Sequence, residues 1–357
     1  MGRVRNAPGL IRHEEAHLDE NIGMLIPELP KVEQHIHIVG SIRPGTLLWL
    51  LSDSNIERGD LWNLEKVQEL FQYRDFSHFI ECYSLVTRSI LKEGQFERIV
   101  YEMLEDEAKQ NVKYVEASFS APDHTRLGLD YAGTLKAINR GVDKAHLDFG
   151  VECNLKIDLV RDYGPEAALK QLDLISTCRE RVVAIDIGGR EYSAPARNFE
   201  EVYRRAAEIG LHLTAHAGEV CGPQSIWEAV DILGAERIGH GVSAREDTTL
   251  LEHLKRRNVT IETCPVSNLK TKVVNDIREH PIRMFFENGL KVTVNSDDPK
   301  MFETNMNNEY RVLHNELGFT LQNLYHLSLN GIDSSFLSSR EKECLRETFR
   351  NEFERLT

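Results

Sequence analysis

The sequence predicts an α/β protein built as one (β/α)₈ TIM barrel, with a helical insertion after the first strand and a helical C-terminal segment. Three observations predict it. Eight short apolar runs recur along the chain, separated by longer stretches of helical character. Most runs are rich in Val, Ile, Leu and Thr, as in parallel strands covered on both faces. Polar and ionisable residues gather at their carboxyl ends, where barrel enzymes carry their active sites. A chain of 357 residues fits one barrel with insertions. An open doubly wound sheet is the alternative, but no G-x-G-x-x-G supports it.

The first run, residues 31–40 (KVEQHIHIVG), places His35 and His37 two positions apart, so both imidazoles leave one face of a strand. Alone, H-x-H fits two hydrogen-bonded core histidines equally well. Residues 41–111 hold several helical segments, including WNLEKVQELF and DFSHFIECYSLVTRSI. An insertion here sits over the barrel mouth. Phe76, Phe79 and Tyr83 recur in it near helical spacing, either as a packing face or as a hydrophobic lid over a ligand. Runs 112–120 (VKYVEASFS), 152–160 (ECNLKIDLV) and 182–189 (VVAIDIGG) bring Glu116, Asp158 and Gly189 to or near their ends.

The fifth run, 211–219 (LHLTAHAGE), follows EEVYRRAAEIG, whose helical pattern stops at Gly210. It carries His216 and Glu219. Gly218 permits a tight turn that swings Glu219 into the mouth; a solvated loop glutamate is the other reading. RIGHG (237–241) is the least strand-like run by pattern and sets His240 between glycines. That histidine reads as a general base, an oxyanion-stabilising group or a structural residue. The seventh run, 259–268 (VTIETCPVSN), follows the helical TLLEHLKRRN and ends on Ser267 and Asn268. The eighth, 291–299 (KVTVNSDDP), ends with Asp297-Asp298, adjacent carboxylates that repel unless a cation or donor separates them. Asp298 reads otherwise as a helix N-cap. Residues 303–357 read as charged amphipathic helices closing the domain. The chain thus divides into an N-terminal extension, 1–28, and a single barrel domain, 29–357.

Composition narrows the function. Lys plus Arg number 43 against 57 Asp plus Glu, a net charge of −14. That argues against a nucleic-acid partner, though not against one small phosphorylated ligand. No apolar run approaches the ~20 residues that span a bilayer, and the N-terminus is too polar for a signal peptide, so the expectation is a cytoplasmic protein with no membrane contact. Six scattered cysteines without C-x-x-C read as reduced thiols. Nothing in the sequence sets an oligomeric state.

A ring of buried polar groups costs on the order of 1–3 kcal/mol for each member left unpartnered, so convergence on one axis calls for a metal or ligand. Two or three imidazoles with one carboxylate suit zinc, and an open position allows a water whose pKa the metal lowers to ~7.

The motifs L-P-K-V-E-x-H-I-H, V-V-A-I-D-I-G-G, T-A-H-A-G-E, R-I-G-H-G, C-P-V-S-N and V-N-S-D-D-P occur in this order over residues 29–302. Together they resemble the adenosine deaminase family of the amidohydrolase superfamily. The resemblance implies one Zn²⁺ per subunit on His35, His37, His216 and Asp297, although other divalent transition metals tolerate these ligands. It implies that Glu219 protonates purine N1, and that His240 and Asp297 orient and deprotonate the attacking water. Ammonia then leaves C6. Asp298 would contact N7 and the Gly189 N–H would meet N3, with His37, Val39, Phe76 and Phe79 completing the substrate site. Cytidine-type deaminases differ in their cysteine-rich zinc sites.

Three departures bear on substrate. Ile38-Val39-Gly40 stands where the family pattern is Leu-Asp-Gly, and Val39 cannot accept a ribose 5′-hydroxyl. Ser118 replaces a frequent arginine, and Arg190 a frequent acidic residue. Val39 and Arg190 both imply fewer acidic groups near the sugar end, as expected for a 5′-modified adenosine whose substituent is larger or anionic. Free adenine or another aminated heterocycle is the alternative substrate. A non-enzymatic binding module would require a broken metal or proton-transfer set, and none of its members is missing.

Overall fold

The computed structural model describes residues 22–53 and 63–357; residues 1–21 of the N-terminal extension and 54–62 of the insertion lie outside the described residues. Each of the eight runs yields one strand: β1 (Lys31–His37), β2 (Val112–Phe119), β3 (Glu152–Asp158), β4 (Val182–Asp186), β5 (His212–Ala217), β6 (Arg237–His240), β7 (Thr260–Thr263) and β8 (Val292–Val294). They pair in parallel in sequence order, with helices between them, as a (β/α)₈ barrel. The last two runs are shorter as strands than their sequences suggest. β7 stops before Cys264 because Pro265 opens a helix, Pro265–Lys270, so Ser267 and Asn268 ride on that helix. β8 stops at Val294; beyond it Asn295 still donates its N–H to the Thr263 carbonyl (2.9 Å) and Asp297 forms a single bridge to β1.

Alternation along β1 sends His35 and His37 inward with Glu33, while Val32 meets the C-terminal helix Leu321–Ser334. Gly331 permits that approach, since a Cβ there would lie 2.9 Å from the Val32 Cβ. The seam between β1 and β8 is closed by the segment beyond β8. The Asp297 N–H donates to the His35 carbonyl (3.0 Å), and the His37 N–H donates to the Asp297 carbonyl (2.8 Å). Closure therefore places the Asp297 side chain beside both histidines.

Ion pairs fill part of the barrel axis. Lys156 on β3 is fully buried and reaches Glu262 on β7 (3.1 Å) and Asp186 on β4 (3.6 Å). Arg237 on β6 pairs with Glu262 (2.7 Å) and with Glu116 on β2. Glu116 therefore belongs to this axial network, away from the mouth where its strand position suggested it. Buried charges of this kind persist only when paired.

The insertion contributes the helices Pro44–Asp53, Leu64–Leu70, Phe76–Arg88 and Gln95–Ala108. Asp75 caps the third by accepting the His78 N–H (2.9 Å). The C-terminal segment forms three helices, Met306–Leu317, Leu321–Ser334 and Ser339–Leu356; Thr320 and Ser338 start the last two with capping boxes. No helix among the described residues is long and apolar enough to cross a membrane.

Candidate active site

A cleft at the carboxyl ends of the strands is lined by His37, His216, Glu219, His240, Asp297 and Asp298 on its floor, with Phe76, Phe79 and Tyr83 above. The floor residues come from β1, β5, β6 and the turns after β5 and β8. One ligand atom each from His35, His216, His240 and Asp297 lies within 4.8 Å of the others, and His37 forms a second such group with Asp297 and Asp298. Asp297 Oδ1 is 3.4 Å from His35 Nε2 and 3.3 Å from His37 Nε2. The other oxygen, Oδ2, accepts the Ser267 hydroxyl at 2.7 Å.

Neighbours aim these imidazoles. Glu262 binds His35 Nδ1 (2.9 Å) and Asp186 binds His216 Nδ1 (2.9 Å), which leaves each Nε2 for the cluster. Lys156 touches both supporting carboxylates. His35 Nε2 and His37 Nδ1 are buried without a hydrogen-bond partner.

The charges fit a divalent cation. In the connected network, Lys156 and Arg237 supply two positive charges against four carboxylates, Glu116, Asp186, Glu262 and Asp297, a deficit of two. Burial pulls His35 and His37 toward neutrality. Asp297 and Glu262 nevertheless raise His35, while Asp298 and Asp297 raise His37 to about 9. A cluster that draws protons onto two buried imidazoles is one where a metal ion competes for the same nitrogens. The four-member group, three imidazoles and a carboxylate (His35, His216, His240 and Asp297), is a nitrogen-rich set of the kind that suits zinc, and His37 joins it through Asp297.

His240 and Asp297 have left-handed backbones, φ 64° and 63°. Such conformations cost non-glycine residues about 1–3 kcal/mol and persist only where the surroundings enforce them. The seam hydrogen bonds hold Asp297. Beside His240, a Cβ on Gly239 would lie 2.7 Å from His35 Cε1, which accounts for the glycine in R-I-G-H-G.

A hydrogen-bond chain sets the His240 tautomer. The Ile282 backbone N–H donates to His280 Nδ1 (3.3 Å), so the neutral His280 carries its proton on Nε2. That nitrogen meets Asn268 Oδ1 (3.2 Å), and Asn268 Nδ2 in turn donates to His240 Nδ1 (3.2 Å). Burial keeps His240 neutral, so its proton sits on Nε2, 3.8 Å from Glu219 and 3.9 Å from Asp297 Oδ2.

Glu219 is no solvated loop residue. Its carboxyl is raised well above the usual range by burial, then by Asp297, Glu191 and Asp298. The Glu191 carboxylate clasps the turn that carries it, accepting the N–H groups of Gly218, Glu219 (3.1 Å), Val220 (2.9 Å) and Cys221 (3.0 Å). Sequence reasoning missed that clasp. Its signal was an acidic residue directly after the G-G-R turn.

Burial, then Asp297, also raises Asp298 well above the carboxylate range, and its Oδ1 has no partner. No described helix starts at Asp298, so it is not an N-cap. Gly189 lines the cleft at φ +94°, where a Cβ would collide with Asp162 Oδ2. Phe76 and Tyr83 line the cleft, while Phe79 does so and also packs 4.9 Å from the Phe302 ring, so this helix is both packing face and roof.

The sugar end differs from expectation. Val39 is buried in a 3₁₀ turn, Val39–Ser41, and does not line the cleft. Acidic groups are not scarce, because Asp123, Asp158 and Asp162 all line it. Arg190 lies 3.8 Å from Asp162, and Arg43 is taken up outside the cleft by Asp106 and Glu105.

Comparison with known proteins places the chain in a family. The profile of the adenosine deaminase family matches residues 30–351. An aminodeoxyfutalosine deaminase of Streptomyces coelicolor is 38% identical over 323 residues, 89% of this chain and 82% of that protein. An adenosine deaminase of Escherichia coli is 34% identical over 330 residues, 91% of this chain and 98% of that one. An adenine deaminase structure from Arthrobacter aurescens superposes with a TM-score of 0.87 at 30% identity, covering 91% and 99% of the two chains. An amidohydrolase from Burkholderia ambifaria, solved with bound zinc, gives 0.86 at 29% identity, covering 94% and 93%.

Proposed function

The chain belongs to the adenosine deaminase family, and on that premise we propose that it binds one zinc ion through His35, His37, His216 and Asp297 and prefers an adenosine modified at the 5′ position. It is a metal-dependent aminohydrolase that hydrolytically deaminates adenosine or a modified adenosine. One observation carries the site assignment: His35 Nε2, buried without a hydrogen-bond partner, lies 3.4 Å from Asp297 Oδ1 in a group with His216 and His240, with the buried carboxyl of Glu219 on the same cleft floor.

A zinc ion held by these residues would supply Lewis acidity and lower the pKa of a water toward neutral. Glu219, held neutral by burial, donates its proton to N1 and makes C6 electrophilic. Asp297 Oδ2, oriented by Ser267, accepts the proton of the attacking water. His240 presents Nε2–H and orients that water as a donor, which assigns the base role to Asp297. Asp298, protonated in its buried position, donates to N7, and the Gly189 N–H binds N3. The proton held by Asp297 passes to the C6 amino group, the C6 hydroxyl returns a proton to Glu219, and ammonia leaves an inosine-type product.

One fact favours a 5′-modified substrate: the S. coelicolor relative is an aminodeoxyfutalosine deaminase. Free cysteines at all six positions support a cytoplasmic location. The test is ammonia release from adenosine, its 5′-deoxy, 5′-thio and 5′-phospho analogues, and adenine. At least one 5′-modified nucleoside should exceed adenosine in kcat/KM by ~10-fold, the scale of one hydrogen bond. Equal values for all nucleosides refute the preference, and dominance of adenine refutes the nucleoside assignment.

A further inference from the structure

The turn that carries Glu219 has no regular structure of its own. Residues 218–221 follow β5 at the rim of the barrel, in neither helix nor strand, and Val220 is exposed there. Rim turns of this kind are ordinarily mobile. A proton donor must nevertheless be held within ~0.5 Å of its productive place. No backbone carbonyl among the described residues takes the N–H groups of Gly218, Glu219, Val220 or Cys221. All four point at one side chain, the buried carboxylate of Glu191. Its Oε1 takes the first and its Oε2 the other three. Successive N–H groups turned on one anion form a backbone nest, and each bond is strengthened by the charge it meets.

The clasp is itself anchored. Arg161 is buried, and its Nη1 donates to the Ala194 carbonyl (3.0 Å) in the loop that carries Glu191. Its Nη2 donates to the Ile187 carbonyl (3.2 Å) just beyond β4 and to the His216 carbonyl on β5. The loop of Glu191 and the strand that leads to Glu219 therefore share one brace. On the other side of the turn, the Ser243 N–H donates to the Gly218 carbonyl (2.9 Å). A Cβ at Gly218, φ +71°, would press on Ile226 and Ser243, so the turn packs closely against that wall. Glu191 does not line the cleft, so it reaches the substrate only through what it holds.

We infer that Glu191 is a positioning residue for the deamination: by clasping the turn at residues 218–221 it holds the Glu219 carboxyl where that carboxyl meets the purine ring nitrogen, and its effect on the reaction passes through Glu219. The position calls for a carboxylate. Two oxygens that only accept can serve four converging donors, whereas a glutamine amide would set its NH₂ against at least one N–H and leave that donor unpaired. The inference rests on the proposed donor role of Glu219 and adds what keeps that donor in place.

The test is a double-mutant cycle on the full-length, metal-loaded enzyme with its best nucleoside substrate. E191Q should lower kcat by ~10²-fold, the scale of a ~1 Å displacement at a reacting group, with KM within ~3-fold of wild type and unchanged metal content by elemental analysis. E191D keeps both oxygens on a shorter arm and should recover part of the loss. In an E219Q background, where the donor is already gone, the E191Q change should cost less than ~3-fold. Amide hydrogen exchange at residues 218–221 should be faster in E191Q than in wild type. A kcat for E191Q within ~3-fold of wild type, a loss carried by KM, or the full loss repeated in the E219Q background overturns the inference; the last is what a merely structural role would give. If E191Q does not fold, E191D takes its place in the cycle under the same criterion. Wild-type turnover by E219Q rejects the donor role of Glu219 instead. The clasp is then judged by exchange alone, and an unchanged rate at residues 218–221 overturns it.

Discussion

Replacing Lys156 with methionine tests the charge arrangement beneath the catalytic floor. Lys156 is fully buried between Glu262 and Asp186, at 3.1 and 3.6 Å, and both carboxylates are themselves fully buried. Removing one partner of a buried pair typically costs 3–5 kcal/mol. Glu262 keeps Arg237 at 2.7 Å, and Asp186 keeps the Thr214 hydroxyl and the N–H groups of Ile187 and His216. The lower end, ~3 kcal/mol, is therefore expected for metal-free K156M, a large share of a typical domain stability of ~5–15 kcal/mol. The charge deficit of the network grows from two to three, so zinc should stabilise K156M more than wild type. Urea titration with chelator and with saturating zinc reads both effects, as a lower midpoint at unchanged slope and as unequal protection. A loss below ~1 kcal/mol in chelator, or equal protection of the two proteins by zinc, refutes the reasoning.

Two other outcomes follow from the site. E219Q should retain metal content by elemental analysis yet lose at least ~10²-fold in kcat/KM, the scale of a lost general acid, and wild-type turnover by this variant rejects the role. Because burial raises the Glu219 pKa, its acid form persists to higher pH in the folded enzyme than in a free glutamate, and wild-type kcat/KM should fall as pH rises past that folded value. A flat alkaline limb counts against Glu219 as the N1 donor. Chelation should abolish ammonia release and lower Tm, with zinc restoring both; full activity of protein verified as metal-free refutes the ligand set His35, His37, His216 and Asp297.

Much of the barrel was legible because each strand carries its own apolar run and most runs hold a polar residue at or near the carboxyl end. His35, His37, His216 and Asp297 could be read this way, since strand alternation and the carboxyl-end rule act locally. What escaped depends on partners distant in the chain. Lys156, Asp186, Arg237 and Glu262 interrupt apolar runs, and only the closed barrel shows that they neutralise one another. Glu191 looks like any loop glutamate until the Gly218–Cys221 turn wraps around it. Val39 was assigned to the sugar site by motif position, yet the turn at Val39–Gly40 buries it. Likewise, Arg190 signalled a less acidic sugar end, whereas Asp123 and Asp162 arrive from segments that sequence position does not connect to it.

The closing of the β1–β8 seam by Asp297 has a consequence for biosynthesis. A nascent chain that has emerged only through β7 already contains three of the four proposed ligands, His35, His37 and His216. It lacks both the carboxylate that gathers them and the backbone that joins the barrel's edges. The same residue thus finishes the architecture and the metal cup together, so a partly made chain has little means of capturing an ion before its fold is complete.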